Sequence, residues 1–277
     1  MPKRFYAFVI LALLLNVSTS LAYEKKVFLA SLDWEPYVGP NLKNNGYVAE
    51  LVEQAFMAVG YLKKDIIIEF VPWARAVVYG RTGYYDGIVP EYFMPQRAKH
   101  YRFSVPFPGG PVGFYKRKSF DLKYKDFDDL AKQFTERNWK IGVVNEYVNT
   151  VDFDENPNIA KIKEYAVSDT MNIKKLIAGR FPLIFIDKNI AHSIIEKLPH
   201  SDQIHQTFEM SYPPLERKDF YICFSKKSPF HEEKMADFNE GYKILEESGV
   251  IKRIMKKHDL TYYKTHYEKD VNARFNE

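Results

Sequence analysis

The sequence holds one cysteine, Cys223, in 277 residues. A lone thiol cannot close an intramolecular disulfide, so the fold has to rest on its hydrophobic core. Set in an apolar stretch, Cys223 reads as a buried strand residue. Phosphate-cradling glycine-rich loops are missing, and so are HExxH and any GxSxG-like nucleophile elbow. The seven histidines (His100, His192, His200, His205, His231, His258 and His266) show no ligand spacing along the chain and read as ordinary surface or core residues. No motif therefore calls for a nucleotide, a metal or another cofactor. Charge of one sign is also scarce: the net charge is +4, and setting aside Lys3 and Arg4 leaves +2. The lysine-rich stretches 116–125 and 252–257 are interleaved with acids or fall on helical faces, so they read as solvated surface and suggest no nucleic-acid partner.

Long apolar runs are absent too. The longest, residues 5–15, is about half of the roughly 20 residues a bilayer span needs. It follows Lys3 and Arg4 and precedes a small, polar stretch with Ser20 and Ala22 at the −3 and −1 positions of a cleavage site. Residues 1–22 therefore read as a cleavable signal peptide, cut before Tyr23. No cysteine near the cut offers a lipid anchor, so the expectation is a freely diffusing exported protein without stable membrane insertion. A mature chain of about 255 residues can build one large or two moderate domains. Aromatics are abundant, 16% of residues with 20 Tyr and 21 Phe; they suit a core plus a cleft that grips a flat or apolar group.

The rest of the chain alternates strand and helix. Residues 26–32 read as a strand ending in a Trp34-Glu35-Pro36-Tyr37 turn. Residues 47–59 carry Val48, Leu51, Val52, Ala55, Phe56 and Val59 at helical spacing, with Gly60 placed for a positive φ. Residues 66–70 and 85–89 read as strands, with a short helix opened by Pro72 between them. The alternation restarts with a helix at 126–137, a strand at 140–144, a helix from Ser168 or Asp169 to Gly179, a strand at 183–186 and a helix at 189–198. Extended segments at 112–118 and 220–225 separate the two α/β units, and helices at 230–248 and 250–258 follow. The fold class is α/β with two lobes joined by a two-strand hinge. Lobe one is residues 23–113 with 224–277, and lobe two is residues 114–223.

Several residues fall where open α/β sheets bind ligands, past the C-terminal ends of strands. Trp34 and Tyr37 follow the first strand, Trp73 the second, and Arg97 lies beyond the strand that carries Asp86-Gly87-Ile88-Val89. An arginine there can hold a carboxylate through two parallel hydrogen bonds. Taken singly, each aromatic is as well explained by the core, and the arginine by the surface; their shared location is the argument.

In order along the chain stand Leu32-Asp33-Trp34-Glu35-Pro36-Tyr37, Gly46-Tyr47 leading into the amphipathic helix, Pro72-Trp73, Tyr85-Asp86-Gly87-Ile88, Pro95-Gln96-Arg97 and Phe103-Ser104-Val105-Pro106-Phe107. Ile141-Gly142-Val143-Val144, Ala178-Gly179-Arg180, Asp187 and Glu247-Ser248-Gly249-Val250-Ile251 follow. This series resembles the family 3 extracellular solute-binding proteins, in a divergent stand-alone branch. The resemblance implies the two-lobed periplasmic-binding-protein fold (type II). It gives Arg97 the role of carboxylate binder and Asp187 that of the acid facing a ligand amino group. Trp34, Tyr37 and Trp73 would stack on the ligand, Tyr92 takes a position usually held by Ser or Thr, and backbone N–H groups around Tyr147 would face the cleft. Pro90-Glu91-Tyr92 and Glu146-Tyr147-Val148 depart from the family's hydroxyl-rich stretches.

The resemblance implies a monomeric periplasmic protein of a Gram-negative cell. It would trap a small polar solute, an amino acid or related carboxylate, and deliver it to an inner-membrane ABC permease without a cofactor. Two alternatives stand beside it: a ligand-sensing module for a membrane receptor, and a dehydratase-like enzyme on the same fold with Glu91 or Asp187 as general acid.

Overall fold

The computed structural model describes residues 23–265, so the signal-peptide reading of residues 1–22 and the last residues of the chain lie outside the described residues. Strand β1 (Val27–Ser31) leads through α1 (Tyr47–Ala58) to β2 (Ile66–Phe70), then through α2 (Trp73–Thr82) to β3 (Gly87–Tyr92). The short α3 (Pro95–Ala98) and β4 (Tyr101–Phe103) precede the long strand β5 (Phe107–Arg117). Beyond it come α4 (Phe127–Glu136), β6 (Ile141–Val144), α5 (Val151–Glu155), α6 (Pro157–Ile162), β7 (Lys163–Ala166), α7 (Asp169–Ile177), β8 (Leu183–Asp187), α8 (Lys188–Glu196), α9 (Ser201–Thr207) and β9 (Phe208–Met210). A second long strand, β10 (Glu216–Ser225), returns to α10 (His231–Glu247) and α11 (Val250–Lys257).

The main strand order is β2-β1-β3-β10-β5-β8-β6-β7, with β4 pairing β10 and β9 pairing β5. Each end is parallel: β2-β1-β3 on one side, β8-β6-β7 on the other. Inner strands of such a sheet are covered on both faces and read as apolar runs, as Leu183–Asp187 (LIFID) and Ile141–Val144 (IGVV) do, whereas the edge strand Lys163–Ala166 (KEYA) is only partly covered. The two long antiparallel strands join the ends. Val112 of β5 pairs with Glu216 of β10 and also with Asp187 of β8, so β5 changes partner there. On the other strand, Phe220 pairs with Phe107 and with Tyr92 of β3. The result is two α/β lobes on one continuous sheet, the α/β class the alternation predicts.

Local chemistry explains most boundaries. Helix α1 buries Val48, Leu51, Val52, Ala55 and Phe56 and ends before Gly60, whose φ is +93°. Side chains cap four helices of the second lobe: Asp126 accepts from the Asp129 N–H, Asn156 from Asn158 and Ile159, Ser168 from Met171, and Asp187 from both Asn189 and Ile190. The strand expected at 85–89 is displaced to Gly87–Tyr92, because Asp86 turns its carboxylate to the Phe28 N–H and to Lys234 while pairing with β10 extends to Tyr92. The stretch 116–125 is not all solvated: Lys116 is buried in β5, with its ammonium 3.0 Å from Glu209. Cys223 is buried in β10. No helix among the described residues is long and apolar enough to cross a membrane.

Candidate functional site

The loop after β1 is tied into a tight turn by paired Trp34 and Val38 backbones, which throws Trp34 and Tyr37 toward the second lobe. Trp34 is the hub of an aromatic cluster. Its ring centroid lies 5.5 Å from Tyr37, 5.9 Å from Tyr92, 6.0 Å from Tyr147 and 5.7 Å from Phe220. Trp73 meets the far side of Tyr147 edge-on at 6.4 Å, and Tyr92 stacks on Phe220 at 5.4 Å. These rings come from the loop after β1, from α2, β3 and β10, and from the loop after β6. The sequence-predicted aromatics Trp34, Tyr37, Trp73, Tyr92 and Tyr147 are thus brought together, and Phe220 joins them from the returning strand.

The polar ends of these rings bridge the lobes. Trp34 Nε1 donates to Asp169 Oδ2 at 2.9 Å, Trp73 Nε1 donates to the Glu146 carbonyl at 3.1 Å, and the Tyr37 and Tyr92 hydroxyls donate to Asp187 at 3.1–3.3 Å. At the rim Lys197 pairs with Glu35, and Gln96 Nε2 donates to Glu155 at 2.7 Å. Asp169 begins α7 and Asp187 caps α8, so both carboxylates sit at helix N-termini, where negative charge is favoured. Burial nevertheless pushes Asp169 up to about 6 and Asp187 up to about 7, against the hydrogen bonds that lower them. Asp187 lies 3% exposed and wholly engaged, in contact with Tyr37 and Tyr92.

Arg97 is also buried, but its guanidinium is already partnered. Nε donates to Glu91 Oε2 at 3.0 Å and Nη2 to the Glu146 carbonyl at 2.6 Å. Glu91, 4% exposed on β3, takes the Tyr92 N–H as well; burial raises its carboxyl, and Arg97 is the chief opposing influence. Lys218 of β10 sits 5.1 Å from the Tyr92 ring centroid and reaches the Asn149 carbonyl. Glu146 holds a left-handed backbone, φ +62°, which aims its carbonyl at both Trp73 and Arg97. A non-glycine residue pays for that conformation.

Leu32, Trp34, Trp73, Pro90, Glu91, Tyr92, Tyr147, Val148 and Phe220 line a narrow central cavity of about 20 Å³, room for about one water molecule. Two larger grooves flank it. One, of about 330 Å³, carries Asp33, Glu35 and Asp169 with a single cation, Lys197. The other, of about 450 Å³, carries Arg81, Arg97 and Lys163 with Glu146 and Asp154. The narrow centre and the two differently charged grooves are all lined from both lobes. Sequence reasoning placed Asp169 only as a possible helix cap and missed Phe220, Lys218 and the Arg97–Glu91 pairing. Glu91, the fifth residue of the buried strand Gly87–Tyr92, was the available signal, since an acid there needs a buried partner.

No family model matches the chain, and no curated protein does. Solved structures do. A histidine kinase sensor domain with similarity to periplasmic binding proteins superimposes with a TM-score of 0.66 at 16% identity, covering 83% of this chain and 95% of that one. The GluR0 ligand-binding core from Nostoc punctiforme, in complex with L-glutamate, gives 0.63 at 13% identity, with coverage of 83% and 98%. A mutant of ArgBP from T. maritima gives 0.62 at 18% identity, with coverage of 84% and 94%. At these identities the likeness is one of fold. The chain has the two-lobed periplasmic-binding-protein fold, and its structural neighbours are binding proteins and a sensor domain.

Proposed function

We propose that this chain is a periplasmic solute-binding protein that closes its two lobes on a small polar solute, an amino acid or related carboxylate, and presents it to an inner-membrane ABC permease. The observation that carries this reading is the aromatic cage with polar ends divided between the lobes. Trp34, Trp73 and Tyr92 stand on one side, and Tyr147, Asp169 and Asp187 on the other. A solute that touches both sides stabilises the closed state by its differential contacts. The lobes are taken as 23–113 with 224–277, and 114–223, with β5 and β10 as the hinge; the change of partner at Val112 supports that division.

With a cavity of about 20 Å³ in the closed form, entry of a solute requires opening. Separation of the lobes would free the Nη edge of Arg97 from Glu146 while Nε stays with Glu91 on its own lobe. The freed edge can take a carboxylate, and the acidic groove beside Trp34 suits an amino group or another cation. The likeness to arginine-bound ArgBP and to the GluR0 core in complex with L-glutamate supports a solute of that class. The sensor domain of the same fold supports a second output for the same trap, a membrane receptor in place of the permease. A non-enzymatic role is consistent with Glu91 and Asp187 both being engaged by buried partners.

The test is a thermal-shift screen of the mature chain over amino acids, small carboxylates and polyamines. One class is expected to raise the melting temperature, and Trp73→Ala is expected to abolish the rise. A flat screen, or a shift that Trp73→Ala leaves untouched, would reject the reading.

A further inference from the structure

Away from the cleft, one cluster of side chains has the composition and geometry of a metal site. His192 and Glu196 lie four residues apart on α8, so they share one face of that helix. Sequence alone gives them no third partner. The chain then turns back through His200, which adopts a left-handed conformation at φ +60°, and runs into α9, which packs on α8 and carries His205. His205 Nε2 comes 2.9 Å from Glu196 Oε1, and His192 Nε2 comes 3.7 Å from the same oxygen. The two imidazole rings lie 4.9 Å apart, and the three potential ligand atoms fall within 4.8 Å of one another.

We propose that His192, Glu196 and His205 bind one divalent transition-metal ion, with zinc as its best fit. Zinc takes imidazole nitrogen and carboxylate oxygen at about 2.0–2.2 Å in a tetrahedron, which puts neighbouring donors about 3.4 Å apart. The observed 2.9 and 3.7 Å separations bracket that edge, and the third, between the two imidazoles, lies within 4.8 Å, so rotamer adjustment closes the triangle around the ion. Two imidazoles with one carboxylate favour zinc, copper or nickel over magnesium and calcium, which prefer an all-oxygen shell. Three protein ligands on a partly exposed surface leave the fourth position to water. The ion would also lie in the last turn of α8, where the helix dipole favours positive charge. The nearest cation in sequence, Lys197, is drawn to Glu35 across the cleft. Binding would pin α9 against α8, the helix whose first turn is capped by Asp187.

The experiment is calorimetric titration of ZnCl2 into the untagged mature chain, freed of metal and held in a non-chelating buffer. The wild type is expected to take up one zinc ion per chain and to give no saturable binding with MgCl2. Loss of even an outer-shell partner costs about 10–100-fold in metal affinity, so His192→Ala/His205→Ala is expected to lose at least about tenfold. Both positions are partly exposed, and an unchanged melting temperature in EDTA would show that the variant folds. The remaining histidines are intact in that variant and act as an internal control. No zinc uptake by the wild type, or unchanged affinity in the double variant, overturns the proposal. A solute-dependent melting shift is expected to survive in the double variant, which separates this site from the cleft.

Discussion

Arg97→Ala is expected to unfold far more easily than its position beside a binding cleft suggests. The substitution removes a buried guanidinium and leaves Glu91, 4% exposed, with only the Tyr92 N–H and the nearby charge of Lys218. Breaking one side of a buried pair costs about 3–5 kcal/mol, because the surviving charge stays desolvated. With a urea dependence of about 2–3 kcal/mol per molar, the unfolding midpoint should fall by about 1–2 M. Glu91 can escape part of this cost by taking a proton. Its folded-state pKa already lies above the ordinary value through burial, and losing Arg97 drives it higher. A raised folded-state pKa means that the folded form binds more protons than the unfolded form, so stability falls as pH rises from the ordinary carboxyl range upward. The deficit of Arg97→Ala should therefore be larger at pH 8 than at pH 5. Glu91→Gln/Arg97→Met removes both charges and keeps an acceptor for the Tyr92 N–H, and it should recover most of the loss. Urea unfolding followed by tryptophan fluorescence measures all three. A single variant within about 0.5 kcal/mol of the parent, or a double variant no more stable than the single, would refute the reasoning.

Asp187 offers a second pH handle. Its pKa is raised from 3.8 to about 7, so the folded state keeps a proton that the unfolded chain loses, and stability should decline between about pH 4 and 7. Asp187→Asn preserves the helix cap and should flatten that stretch of the melting-temperature profile; an unaltered slope would assign it to other groups. Gly110 on β5 has Tyr37 Oη and Asp187 Oδ2 at 2.0 and 2.3 Å from where a β-carbon would stand. Gly110→Ala should cost about 1–3 kcal/mol by overpacking and increase the radius of gyration in solution scattering by parting Tyr37 from Asp187. A variant as compact and as stable as the parent would show that the site relaxes without opening.

Much of the architecture was legible because the signals are local. The helical spacing of Val48, Leu51, Val52, Ala55 and Phe56, and the apolar runs at β6 and β8, point to their elements without tertiary information. The short pieces α3, β4, α5, α6, β7, α9 and β9 went unseen, being three to seven residues long and too brief to show a period. Asn156-Pro157, a side-chain cap followed by proline at the first helical position, was a readable cue for α6. At the site, the aromatics were legible from their place after strand ends. The partnership of Arg97 with Glu91 was not, because six residues of separation across a strand end and a short helix say nothing of side-chain direction. The histidines reveal the same limit: a search for histidine spacing passes over His192 and His205, since the third member is a glutamate and the geometry depends on a turn at His200.

The left-handed turn at Glu146 has a consequence for every binding measurement on this protein. On the proposed reading, its carbonyl oxygen is a tethered competitor, present at the high effective concentration of a group on the same chain and seated on the two donors, Trp73 and Arg97, that an incoming solute oxygen would seek. The observed dissociation constant is then the intrinsic one divided by the fraction of molecules with the lobes apart. That internal rivalry would scale the affinity of every solute by the same factor and leave selectivity to the cage. A looser turn at residue 146 would tighten binding across all ligands that the cage admits, without touching any of them.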